Sequence, residues 1–72
     1  MKEKIKIKIK VNGKTLSIEQ NSTVVKLIKK LDIPLNKVAI ELNKKIIDKK
    51  KLRDITLKNK DILEIVHFIG GG

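Results

Sequence analysis

The sequence predicts an α+β fold in which a mixed sheet of four to five strands wraps around one main helix, in the order ββαβ(β)β. Three observations carry that expectation. Apolar residues alternate with polar ones on both sides of Asn12-Gly13. A single stripe of helical period follows. The chain then closes on a nearly all-apolar segment, Ile62 to Ile69.

Each element has its own warrant. Ile5, Ile7, Ile9 and Val11 alternate with Lys4, Lys6, Lys8 and Lys10, a period of two with one apolar and one cationic face. Asn12-Gly13 accepts the positive φ of a type I′ turn. Leu16 and Ile18 then alternate with Thr15, Ser17 and Glu19, so residues 4–19 form a β-hairpin. Ser22 or Thr23 can cap a helix. Val24, Leu27, Ile28 and Leu31 fall at i, i+3, i+4 and i+7, one apolar stripe with Lys26, Lys29 and Lys30 outside it. Lys29 and Lys30 suit the negative end of the helix dipole, and Pro34 cannot continue the helix. Val38, Ile40 and Leu42 alternate with Ala39 and Glu41 in a third strand. Asn43-Lys44-Lys45 reads as a turn and Ile46-Ile47 as a very short strand. Residues 48–57 read as irregular, anchored by Leu52, Ile55 and Leu57. Asn59-Lys60-Asp61 is a turn before the last strand. That strand's apolar character predicts a central place, covered at least in part on both faces.

Composition narrows the function. Seventy-two residues make one domain, expected as a β-rich unit over residues 1–69 with a flexible tail at 70–72. There is no cysteine, so no disulfide, thiolate metal site or side-chain persulfide is available. That is consistent with a cytoplasmic protein. The chain has no apolar run long enough for a membrane helix, and its first residues lack a signal peptide's apolar core. The formal net charge is +10, and every basic residue but Arg53 is lysine. Nucleic-acid readers add arginine forks and stacking aromatics. Phe68 is the only aromatic here, which argues against nucleic acid and for a solvated lysine surface or an attraction to acidic proteins. His67, a lone histidine, makes a poor metal site, and no ligand cluster accompanies it. The run Lys49-Lys50-Lys51 reads first as a solvated loop.

The chain ends in Gly70-Gly71-Gly72 directly after the apolar strand. Three residues without Cβ tolerate almost any backbone angle and can thread a narrow channel. The reactive group would be the α-carboxylate of Gly72. A carboxylate is a poor electrophile until activated, and adenylation by ATP is the usual route. A frayed terminus with no function is the competing reading. Val66 and Phe68 share one face of the last strand, opposite Leu63 and Ile65. They either dock a partner beside the tail or are covered by residues 48–57.

Residues 61–72, Asp-Ile-Leu-Glu-Ile-Val-His-Phe-Ile-Gly-Gly-Gly, resemble the C-terminus of the bacterial sulfur carrier proteins of thiamine thiazole synthesis, the ThiS family. The resemblance covers the whole chain, with the Asn12-Gly13 turn, the Thr23-Val24-Val25-Lys26-Leu27-Ile28 helix start and the Val38 to Asn43 strand. It departs at two turns, where the family often has Asn-Gly and Gly-Asp and this chain has Asn43-Lys44 and Lys60-Asp61. The resemblance implies a ubiquitin-like β-grasp fold and a monomer that is a protein cosubstrate, not an enzyme. Gly72 would be adenylated by an E1-like enzyme, converted to a thiocarboxylate and used by thiazole synthase. Gly70 and Gly71 would thread both active sites, with Val66, Phe68 and Ile69 as partner contacts. No bound cofactor is expected, since the ATP belongs to the activating enzyme. Three alternatives stand beside this: a molybdopterin-type carrier, a protein-modifying ubiquitin-like tag, and a non-catalytic RNA-binding β-grasp module.

Overall fold

The computed structural model describes residues 5–68. Its elements are β1 (Lys6–Val11), β2 (Lys14–Glu19), α1 (Val24–Lys30), a 3-10 turn (Leu35–Lys37), β3 (Val38–Leu42), β4 (Lys45–Ile46), a 3-10 helix (Lys49–Asp54) and β5 (Ile62–His67). The strands form one mixed sheet in the order β2-β1-β5-β3-β4. β1 runs parallel to β5, and the other pairs are antiparallel.

The expected hairpin forms, with Ile9 facing Leu16 and Ile7 facing Ile18 across it. Asn12 and Gly13 take φ of 50° and 83°, as a type I′ turn requires. Thr23 is the residue that caps α1: its hydroxyl accepts from the Lys26 N–H at 3.2 Å. The Ser22 hydroxyl instead donates to the Glu19 carbonyl at 2.6 Å. Val24, Leu27 and Ile28 are buried as the stripe predicts. Leu31 departs from it, lying at the C-cap and 38% exposed. The helix ends there because Asp32 turns left-handed at φ 57°, two residues before Pro34.

The second half differs from expectation in three places. Residues 48–57 are not irregular: Lys49–Asp54 is a 3-10 helix, started by Asp48, whose Oδ1 accepts from the Lys50 N–H at 2.9 Å. Its period puts Leu52 into the core, and Leu57 follows, at 1% and 2% exposure. Backbone bonds from Val24 N–H to the Ile55 carbonyl and from Leu57 N–H to the Ser22 carbonyl tie this segment to the start of α1. The short fourth strand is Lys45–Ile46, one residue earlier than expected. β5 is central as expected, but only one of its faces is covered. Leu63 and Ile65 are buried against the helix layer, while Ile62, Glu64 and Val66 are exposed. The helix α1 and the 3-10 helix Lys49–Asp54 supply one covering layer, and no second layer lies over the other face among the described residues.

Ile9 and Ile18 from the hairpin, Val38, Ile40, Leu63 and Ile65 from the rest of the sheet, and Val24, Leu27, Ile28, Leu52 and Leu57 make one buried cluster. It holds β5 between β1 and β3, which fixes where the chain leaves the sheet.

Candidate docking face and carboxylate tail

Gly72, the expected reaction site, lies outside the described residues, as do Gly70, Gly71 and Ile69. The structure does describe the platform up to Phe68. Alternation along β5 puts Ile62, Glu64 and Val66 on the open face. Register continues that face onto β3, with Ala39 beside Val66 and Glu41 beside Glu64, and onto β4, where Ile46 stands beside Glu41. Ile62, Val66, Phe68 and Ile46 are 42%, 50%, 52% and 76% exposed. Val66 and Phe68 follow each other along this side of the sheet, while Glu64 stands between Val66 and Ile62 and Glu41 between Glu64 and Ile46. Grouped exposure of this kind marks an interaction surface more readily than scattered single residues do.

The alternative, that residues 48–57 cover Val66 and Phe68, does not hold. The Lys49 ammonium of the 3-10 helix sits 5.1 Å from the Phe68 ring centroid, a cation–π contact. Phe68 stays half exposed beneath it. Its N–H donates to the Lys37 carbonyl at 2.9 Å, one residue beyond the Val38–His67 pair. The β3–β5 pairing therefore persists to the last described residue, and the chain leaves the sheet from a fixed point.

Two further residues position β5, and sequence reasoning gave them turn roles only. β1 ends at Val11, but the Asn12 side chain extends its edge. The Ile65 N–H donates to Asn12 Oδ1 at 2.7 Å, and Asn12 Nδ2 donates to the Ile65 carbonyl at 3.1 Å. The amide imitates one more residue of a neighbouring strand. On the other side the Ile62 N–H donates to Asn43 Oδ1 at 2.9 Å, and Asn43 Nδ2 donates to Asp61 at 3.1 Å. The signal was present in the sequence as asparagines in both turns, since an asparagine amide can both donate and accept.

His67 is exposed on β5 opposite Val38. No group of three metal-ligating side chains occurs among the described residues. No described helix is long and apolar enough to cross a membrane.

Residues 6–72 match the model of the ThiS family. The chain belongs to the ThiS family. It is 34% identical over 65 residues to the sulfur carrier protein ThiS of Bacillus subtilis, covering 89% of this chain and 98% of that protein. It is also 36% identical over 66 residues to a thiazole synthase of Magnetococcus marinus, covering 92% of this chain and 20% of that protein. A thiazole synthase of Paramagnetospirillum magneticum matches to the same extent. The chain thus spans about a fifth of the length of those synthases. Among solved structures, the thiamine biosynthesis protein ThiS of Geobacter metallireducens superposes with a TM-score of 0.81 at 28% identity, covering 92% of this chain and all of that one. The ThiS fold is the β-grasp expected from the sequence.

Proposed function

We propose that the chain is a sulfur carrier of thiamine biosynthesis whose working group is the α-carboxylate of Gly72. The family match running through to residue 72 carries this reading, because it takes in the glycine end. The chain is a substrate in the chemistry and not its catalyst. A carboxylate oxygen of Gly72 attacks the α-phosphorus of ATP and pyrophosphate leaves, giving an acyl adenylate. A sulfur nucleophile then attacks the carbonyl carbon and AMP leaves. With hydrosulfide as the nucleophile this gives the thiocarboxylate directly; with a persulfide it gives an acyl disulfide, whose S–S bond a thiol then cleaves, leaving a disulfide and the thiocarboxylate. The activating enzyme is of the E1-like class and holds the ATP and Mg²⁺; this chain binds no cofactor.

The described residues support the part of the reading that concerns presentation. β5 delivers Phe68 at a hydrogen-bonded position beside an exposed apolar surface. Val66 and Phe68 dock the partner there, while Ile69, Gly70 and Gly71 follow as the thread into its active site. Thiazole synthase is the acceptor, and the thiazole synthases with a chain-like segment favour that pairing. The carrier acts as a monomer in the cytoplasm, where the ATP-dependent step runs.

Intact mass after incubation with ATP, an E1-like enzyme and a sulfur donor tests this. The expected product has one oxygen replaced by sulfur and is absent when Gly72 is deleted, while the deletion leaves the melting temperature nearly unchanged. No adenylate and no thiocarboxylate, with an enzyme active on its own carrier, overturns the reading.

A further inference from the structure

The open face of the sheet is polarised, and one end of it is concave. Lys8, Lys10, Thr15, Lys60 and Ile62, together with Ile9, line a groove of about 300 Å³. The backbone fixes its walls. Lys10 is in register with Thr15 on one side and Ile62 on the other. The Lys60 N–H donates to the Lys8 carbonyl at 2.7 Å, the Lys10 N–H to the Asp61 carbonyl at 2.9 Å, and the Lys8 N–H to Asn59 Oδ1 at 2.9 Å. Three ammonium-bearing side chains are thereby gathered around one groove that no carboxylate lines. Lys60 sits in the left-handed region at φ 73°, a conformation costly for any residue with a Cβ.

The acidic side chain nearest the apolar surface, Glu64, stands on β5 itself between Ile62 and Val66, and Glu41 faces it from β3. Along β5 the face therefore runs from the cationic groove at Ile62, past Glu64, to the apolar pair Val66 and Phe68. We propose that the Lys8–Lys10–Lys60 groove receives an acidic segment of the protein that docks on Val66 and Phe68, and so fixes the orientation in which the tail is presented. Charge complementarity selects that occupant, and so does continuity with the apolar surface. Ile62 lines the groove, and Val66 lies four residues along the same strand, or about 13 Å at the usual rise. An interface of standard size, about 800 Å² per partner, spans both. Charge pairs at the rim of an interface act mainly on encounter rate and orientation, so the groove shows itself in association kinetics.

This inference rests on the carrier reading, and its test separates the two. The association rate constant of the chain with the activating enzyme is measured across a range of salt. Three proteins are compared: wild type, the groove variant Lys8→Gln/Lys10→Gln/Lys60→Gln, and the control Lys29→Gln/Lys30→Gln/Lys51→Gln. The two variants lose the same charge, so the whole-molecule field falls alike. The groove variant is expected to associate about tenfold more slowly at low salt and to lose most of its salt dependence, and the control to change less than about threefold. Lys8→Glu/Lys10→Glu/Lys60→Glu, checked for a wild-type melting profile, should deepen the effect. Equal slowing of groove variant and control assigns the effect to net charge and overturns the proposal. So does a wild-type rate in the groove variant, with or without binding of pyrophosphate at the lysines. Thiocarboxylate formed by wild type alongside such a result leaves the carrier reading standing; no thiocarboxylate and no association in wild type removes both.

Discussion

Replacing Asn12 with alanine should cost the domain about 3 kcal/mol. The side-chain amide makes two hydrogen bonds to Ile65, at 2.7 and 3.1 Å, across a sequence separation of 53 residues. Each is worth about 1 kcal/mol net, and each removal leaves a backbone group of the buried Ile65 without its partner. Because Asn12 is itself exposed, water can reach those groups, so the lower end of the unsatisfied-group penalty applies, giving about 2 kcal/mol in all. Asn12 also sits at φ 50°, where asparagine is better tolerated than alanine, which adds about 1 kcal/mol. Asn12→Gly separates the two contributions: it relieves the backbone but still loses the amide, so it should cost about 2 kcal/mol. In a domain of this size 1 kcal/mol moves the melting temperature by about 4–8 °C. Thermal melts by far-UV circular dichroism resolve such shifts, and amide exchange at Ile65 reports the bond directly. A loss under about 1 kcal/mol for Asn12→Ala, or Ile65 protection unchanged in both variants, would refute the claim that this side chain serves as a strand edge.

Lys44 and Lys60 occupy left-handed positions, at φ 71° and 73°. Lys44→Gly and Lys60→Gly should therefore each stabilise the fold by about 1 kcal/mol in urea unfolding. Leu57→Ala empties a site that is 2% exposed, at the point where the segment after the 3-10 helix is bonded to Ser22. Its cost of about 2–5 kcal/mol should show as a large fall in urea midpoint. Val66→Asp with Phe68→Asp, both half exposed, should shift stability by no more than about 1 kcal/mol. The same double variant should abolish thiocarboxylate formation under conditions where wild type converts fully.

The parts legible in the sequence were those where one short-range pattern decides the structure. Alternation around Asn12-Gly13, the Val24–Leu27–Ile28 stripe and the Val38–Ile40 alternation each name a buried face, and burial follows it. The 3-10 helix was not legible because Lys49 to Asp54 carry one apolar residue among them, Leu52. Its start depends on the Asp48 cap and its place on tertiary bonds to the head of α1. β5 was misread for a different reason. Ile62, Val66 and Phe68 make an apolar run that resembles a strand buried on both sides, yet a chain with one main helix has only one layer with which to cover its sheet. An apolar residue left uncovered by that limit is where sequence pattern stops describing packing and begins to describe binding. The two lysines at left-handed positions show the same limit from the other side. Lys44 and Lys60 carry no local sign of the backbone they adopt, which is imposed by the strands on either side.

The placement of β5 explains how so small a domain can hold the last described residues of its chain in a fixed position. A tail anchored to an edge strand would move with that edge, which frays most readily. Here the strand leading to the tail is the middle one of five. It is buried through Leu63 and Ile65, and asparagine side chains hold its two borders. Its pairing with the β3 side continues to the Phe68 N–H. The side chains of this strand divide the work by alternation. Leu63 and Ile65 commit one face to the core, and Ile62 and Val66 leave the other free for a partner. At the exit point, from Val66 to Phe68, β5 is held by β3 alone, while the pairing with β1 and Asn12 secures the strand up to Ile65. An apolar face that is already ordered before docking leaves more of its contact energy for binding.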